Sequence, residues 1–180
     1  WFPDTSYVRT RDGYSKWSTG YPAEVQTIFA YNAGETSKLF GVANGAIYDA
    51  STGGAIGAAA VSGLANSKWQ YVNVTTSAGS FLMCVNGADP LEYFDGTTWS
   101  ADGTTYAITG IATTTIAQIN MFKNRVWLIP NSTLKAWYLP TASIQGAAAA
   151  LDLSAFASRG GYLVAMATWT VDAGYGVDDY

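Results

Sequence analysis

The same short pattern returns at intervals of about 45 residues along the chain, and a repeat of that length restricts the fold to architectures that stack one supersecondary unit on the next. Val25-Gln26-Thr27-Ile28-Phe29-Ala30-Tyr31-Asn32, Trp69-Gln70-Tyr71-Val72-Asn73-Val74-Thr75 and Ala117-Gln118-Ile119-Asn120-Met121-Phe122-Lys123-Asn124 each open on an apolar residue and Gln, then continue in strand-forming residues. A second apolar run follows each one: Lys38-Leu39-Phe40-Gly41-Val42, Phe81-Leu82-Met83-Cys84-Val85 and Arg125-Val126-Trp127-Leu128-Ile129. These runs end at Asn44-Gly45, Asn86-Gly87 and Asn131-Ser132. Asn-Gly marks a hairpin because both turn positions need positive φ. A third strand is expected over 46–49, 91–95 and 135–139, and a weaker fourth segment over 55–61, 106–111 and 144–153.

Four strands per unit of this length is the spacing of a propeller blade. The expected fold is therefore all-β and β-propeller-like, with four-stranded antiparallel blades of about 45 residues, incomplete in this chain. Residues 1–24 read as an N-terminal strand segment, 25–68 as the first blade, 69–115 as the second, 116–161 as the third and 162–180 as the start of a fourth. The N-terminal segment alternates over 7–17 around Asp12-Gly13, as would a strand that completes the last blade. Closed propellers hold about four to eight blades. Missing blades are accordingly expected after Tyr180, and the 180 residues alone are expected to self-associate through an unpaired strand edge at 162–169.

Composition narrows the chemistry. Hydrophobic residues make up 49% and charged residues 12%, which supplies a core and argues against disorder. The net charge is −4 and no two cations are adjacent, so the clustered Lys and Arg of a sequence-specific nucleic-acid face are missing. With no His in the chain, Ser-His-Asp and Cys-His arrangements and imidazole zinc ligands are closed off. The single cysteine, Cys84, lies among Leu82, Met83 and Val85 and reads as a buried, inert thiol. The run Asp172-Ala173-Gly174-Tyr175-Gly176-Val177-Asp178-Asp179 lacks the alternating oxygen ligands of a calcium loop. Neither a metal, a cofactor nor a catalytic residue is expected. The charge-free stretches are built from Ala, Gly, Ser and Thr, too weakly apolar for a membrane-spanning helix.

Among the acidic residues, Asp89, Glu92, Asp95 and Asp102 group in the second unit. A glycosidase would need two of them facing one another across a cleft. Asp95 precedes Gly96 after a strand, which makes it a turn residue first. Phe94-Asp95-Gly96-Thr97-Thr98-Trp99 resembles the Asp-box of sialidase propellers but lacks the residue between Asp and Gly, and Tyr93 stands at the leading Ser position. Seven Trp raise a carbohydrate-binding alternative, in which a propeller recognises a host receptor. Trp69, Trp127 and Trp137 fall within predicted strands and read as core. Trp17 and Trp99, near turns, are with Asp95 the candidate ligand-facing residues.

Val8-Arg9-Thr10-Arg11-Asp12-Gly13-Tyr14-Ser15-Lys16-Trp17, Ser37-Lys38-Leu39-Phe40, Ala46-Ile47-Tyr48-Asp49, Val85-Asn86-Gly87-Ala88-Asp89, Ala136-Trp137-Tyr138-Leu139-Pro140 and Arg159-Gly160-Gly161-Tyr162 resemble segments of tailed-bacteriophage virion proteins. In plan the chain is similar to the propeller-containing nozzle, or tail tubular, proteins of short-tailed phages, with Asp12 where that group has Pro. The resemblance implies a virion location and a homo-oligomeric ring, commonly hexameric. Its partners would be phage adaptor and tail proteins, with transient non-specific contact to genomic DNA in a lumen. Its role would be to retain the packaged genome and pass it to the host. An acidic chain suits that role, because a negative lumen repels DNA and lets it slide.

Overall fold

The computed structural model describes residues 13–157 and 159–168. Residues 7–12 of the strand expected over 7–17 and the acidic run 172–179 lie outside them, and residues 13–17 form no strand, the first being Ser18–Thr19. The described chain is all-β, with two single-turn 3-10 segments and no α-helix. In chain order, β1 (Ser18–Thr19) precedes a first sheet of β2 (Thr27–Ala33), β3 (Thr36–Ala43), β4 (Ala46–Asp49) and, after β5 (Gly54–Ala55), β6 (Val61–Ser62). The second sheet is β7 (Gln70–Thr76), β8 (Gly79–Val85), β9 (Glu92–Phe94) and β10 (Trp99–Ala101). After β11 (Ile108–Thr109) comes a third sheet of β12 (Ile116–Phe122), β13 (Arg125–Pro130), β14 (Lys135–Tyr138) and, after β15 (Gly146–Ala147), β16 (Ala149–Asp152). Each of the three is a four-stranded antiparallel meander.

Local chemistry explains the turns. Ala33 pairs with Thr36, Thr76 with Gly79 and Phe122 with Arg125, so each unit opens on a hairpin with a two-residue loop. Asn44 and Gly45, between paired Ala43 and Ala46, both have positive φ, as do Lys123 and Asn124, which matches the right-handed twist of the flanking strands.

Aligned on these hairpins, Phe29 and Tyr31 of the first sheet correspond to Val72 and Val74 of the second and to Gln118 and Asn120 of the third. A register shift lies just beyond the last pair, between Ile116 and Gln118. Phe29 and Tyr31 pack with Leu82, Cys84 and Phe94 of the second sheet. Val72 and Val74 pack with Ile119, Val126 and Leu128 of the third. Each sheet thus meets the next with the same face, and successive first strands run beside one another.

The middle sheet is covered on both sides, which accounts for the unbroken apolar run of β8. Phe81, Met83 and Val85 enter the core shared with the third sheet, while Leu82 and Cys84 enter the core shared with the first. Each such fully buried large side chain contributes about 2 kcal/mol of transfer free energy.

Three features depart from expectation. The fourth strand of the second sheet is Trp99–Ala101 rather than 106–111, because the tight turn at Asp95 closes the hairpin immediately after β9. The freed segment forms β11, which pairs in parallel with β15, as β1 pairs in parallel with β5. Finally, the fourth opening, expected as a strand over 162–169, carries no strand ladder through residue 168. It is held against β12 by side chains: Gln118 Nε2 donates to the Met166 carbonyl at 2.9 Å, and Thr168 Oγ1 donates to the Met121 carbonyl at 2.8 Å.

Candidate functional site

On the face of the first sheet turned away from the second, the segment from Lys16 to Val25 lies along Leu39, Gly41 and Tyr48. Parallel pairing of β1 with β5 anchors this segment, reinforced by Gly54 N–H donating to the Trp17 carbonyl at 2.8 Å and Ile56 N–H to the Thr19 carbonyl at 2.9 Å. Trp17 donates its indole Nε1–H to the Ala50 carbonyl at 2.7 Å, which fixes the ring while 61% of the residue remains exposed. Tyr21 stands edge-on to Tyr48 with ring centroids 5.7 Å apart, and its hydroxyl occupies the space a Cβ at residue 41 would take. Only glycine admits it there.

Between this segment and the sheet runs a groove of about 310 Å³ lined by Trp17, Tyr21, Val25, Ile28 and Leu39, with Lys16 its one charged neighbour. On the other side of residues 23–26 lies a polar hollow of about 370 Å³ lined by Glu24, Gln26, Asn44, Asn66 and Ser67. Part of that hollow is already committed: Ser67 Oγ accepts from Gly45 N–H at 2.9 Å, and Asn66 Oδ1 accepts from Lys68 N–H at 2.9 Å. A sugar site combines an aromatic platform with polar groups that fix orientation. Here the aromatic rings and the polar side chains line separate cavities.

The three candidate residues are not brought together. Trp17 is exposed in the apolar groove. Trp99 follows a turn, yet its ring lies 5.1 Å from those of both Phe40 and Phe94, half-buried against the core between the first two sheets. Its Nε1 is buried without an acceptor among the described residues. Asp95 is exposed and its oxygens serve the turn: Oδ1 accepts from Thr97 N–H at 2.8 Å and Thr98 N–H at 2.7 Å, and Oδ2 from Thr98 Oγ1 at 2.9 Å. Partial burial works to raise its pKa, but the bonds from Thr98 and Thr97 outweigh it and hold the carboxyl below its ordinary value.

The neighbouring carboxyls are placed differently. Glu92 is 6% exposed and alternates with Tyr93, so it lies on the side of the second sheet that faces the first. Burial, then the charge of Asp89, pushes its pKa up to about 7. Asp89 accepts from Ala65 N–H at 2.8 Å and Asn86 Nδ2 at 2.6 Å, tying the second sheet to the linker before it. Asp102 accepts from Ile108 N–H at 2.8 Å and Thr113 Oγ1 at 3.0 Å, bracing the route into the third sheet. None of these four carboxyls lines either cavity.

The structure adds residues that sequence reading passed over. Asn73 Nδ2 donates to the Ala30 carbonyl at 2.9 Å while its Oδ1 accepts from Asn32 N–H at 3.1 Å, so one side-chain amide bridges the first strands of adjacent sheets. A legible signal also went unused: Ser18-Thr19-Gly20, Val61-Ser62-Gly63 and Ile108-Thr109-Gly110 recur six or seven residues before β2, β7 and β12. They contain β1 and β11, which pair in parallel with β5 and β15 of the following unit, and β6, the fourth strand of the first sheet. No helix among the described residues is long and apolar enough to cross a membrane.

Comparison with protein family models, with curated proteins and with solved structures gives no match.

Proposed function

We propose that this chain is a structural subunit of a phage tail, built of β-propeller blades and contributing to the nozzle-like ring through which the packaged genome is retained and then released. The observation that carries the reading is the repeated stacking of four-stranded meanders, each meeting the next through the same face with first strands side by side. A rotation applied repeatedly in one sense is how blades generate a propeller around an axis. The phage assignment itself rests on the sequence resemblance and on the acidic balance of −4, which suits a lumen that DNA must slide through.

Function in this reading is mechanical, carried by faces and edges. Gold-labelled antibody against the chain, imaged on purified virions, tests it. Labelling at the end of the tail is expected. A particle that lacks the chain would overturn the reading.

Carbohydrate binding is the second reading, favoured by one observation: Trp17 is exposed and held rigidly by its bond to Ala50. A glycan array discriminates the two. Saturable binding that is lost on Trp17→Ala would favour receptor recognition, and Trp17 replaces Trp99 as the residue to test because Trp99 is half-buried with its ring against the core.

A further inference from the structure

Asn44-Gly45 and Asn86-Gly87 are the two Asn-Gly pairs of the chain. An asparagine followed by glycine loses its side-chain amide without any enzyme, because a residue with no Cβ lets its backbone nitrogen approach the neighbouring side chain closely. The glycine nitrogen gives up its proton and bonds to the asparagine Cγ. The Cγ–Nδ2 bond breaks, ammonia departs carrying that proton, and a five-membered imide remains. Water then adds to one of the two imide carbonyls and reopens the ring, as aspartate or as isoaspartate with the main chain rerouted through Cγ. No electrons change hands, and water is the only co-reactant.

The fold treats the two pairs differently. At 86–87 it holds the amide that would have to react. Asn86 Nδ2 donates to Asp89 Oδ2 at 2.6 Å, and Asn86 Oδ1 accepts from Ala88 N–H at 3.0 Å and Asp89 N–H at 2.8 Å. All three bonds must break before Cγ can turn to the Gly87 nitrogen and release Nδ2.

At 44–45 the asparagine is exposed and lines the polar hollow, where water reaches it. The restraint falls on the glycine instead. The linker after the first sheet holds Gly45 at both ends: its N–H donates to Ser67 Oγ at 2.9 Å, and its carbonyl accepts from Leu64 N–H at 2.9 Å. Ser67 is itself fixed. It is 4% exposed, and its carbonyl accepts from Thr27 Oγ1 at 2.7 Å. A nitrogen whose proton is given to a buried hydroxyl is neither free to lose it nor free to turn.

We propose that Asn44 is the site of spontaneous deamidation in this chain, and that Ser67 sets its rate by keeping the Gly45 nitrogen protonated and turned toward the linker. The proposal is independent of the phage-tail and carbohydrate readings.

The test is to hold the native parent, Ser67→Ala and Ser67→Thr in mildly alkaline buffer for weeks. Peptide mass spectrometry, with aspartate and isoaspartate products separated, follows both pairs. In the parent, conversion is expected at Asn44 and not at Asn86. Ser67→Ala should speed conversion at Asn44 about fivefold, the factor that one net hydrogen bond is worth, and leave Asn86 unchanged. Ser67→Thr retains the hydroxyl and should stay at the parent rate. In denaturant both pairs should convert in all three proteins at similar rates, since the surroundings that separate them are gone. Native parent that converts at neither pair, or at Asn86 as fast as at Asn44, would overturn the proposal. So would a cooperatively melting Ser67→Ala with the parent rate at Asn44. The contrast between the two pairs within the parent decides the site even where Ser67→Ala does not fold, and the rate in Ser67→Thr then decides the part of the hydroxyl: acceleration there would overturn it.

Discussion

Gln118 makes both of its amide hydrogen bonds to the backbone of one residue, donating to the Met166 carbonyl at 2.9 Å and accepting from the Met166 N–H at 3.2 Å. A side chain here does what a neighbouring strand would do. Asn73 plays the same part between the first and second sheets. Gln118→Leu removes both bonds at a cost of about 1 kcal/mol each, the usual net worth of a protein hydrogen bond. Gln118→Glu keeps the acceptor but turns its second oxygen against the Met166 carbonyl. Both variants should accelerate hydrogen exchange at the Met166 amide while protection of β7 and β8 is unchanged. Equal exchange in parent and variants would show that the contact does not hold the segment.

Gly45 and Gly34 form a matched pair of tests. Both have positive φ, 66° and 60°, so alanine at either adopts the left-handed region at a cost of about 1–2 kcal/mol. At Gly34 an added methyl meets nothing within 4 Å, whereas at Gly45 it runs into the Leu64 carbonyl oxygen. That carbonyl belongs to the backbone of the linker between the first two sheets and cannot swing aside as a side chain would. In urea unfolding, Gly45→Ala should lose clearly more stability than Gly34→Ala. Equal losses would mean that the linker yields.

Glu92 sets a pH dependence with a definite sign. Its pKa is raised from an ordinary 4.5 to about 7, chiefly by burial and then by Asp89. Between those values the folded state holds a proton that the unfolded chain has released, so this residue makes stability fall as pH rises from about 4.5 to 7. Glu92→Gln has no such proton to lose. The variant should gain stability relative to the parent as pH rises from 5 to 8, measured as the difference in urea midpoint at the two pH values. A difference that does not change with pH would show that the carboxyl titrates normally.

Cys84 has no exposed surface, and burial followed by the charge of Glu92 holds its thiol well above the ordinary range. Only the thiolate attacks disulfides. A chromogenic disulfide reagent should leave the native protein untouched at neutral pH and react fully in denaturant. Rapid reaction of the native protein would mean that the first and second sheets separate readily.

The sequence alone was sufficient for the first three strands of each unit, for the meander plan and for the Asn44-Gly45 hairpin, because these follow from local rules. It misplaced the fourth strand of the second sheet, expected a strand at the fourth opening, and read Asn86-Gly87 as a tight turn, where Asn86 does not take positive φ and the connection from Cys84 to Glu92 is longer. Alternating β-prone residues make strands, and Asn44-Gly45 satisfies a turn whatever surrounds it. It also showed Cys84 as buried, since an unbroken apolar run such as 81–85 makes sense only in a strand covered on both faces. What it could not supply was the direction of individual side chains at element ends and the fate of the connections. Trp99 looks like an exposed turn residue, but its pairing with Phe94 turns the ring against the core between the first two sheets, where it is half-buried. Asp95 looks equally free until three donors from Thr97 and Thr98 are seen to occupy it. Trp17, also near a turn, stays in solvent because no sheet among the described residues covers that face and Ala50 pins its ring there. Glu92 falls on the side facing the first sheet and Tyr93 on the side facing the third, a choice made by ladder register. Burial of a given side chain depends on which layers arrive from residues tens of positions away, and only the packed sheets decide that.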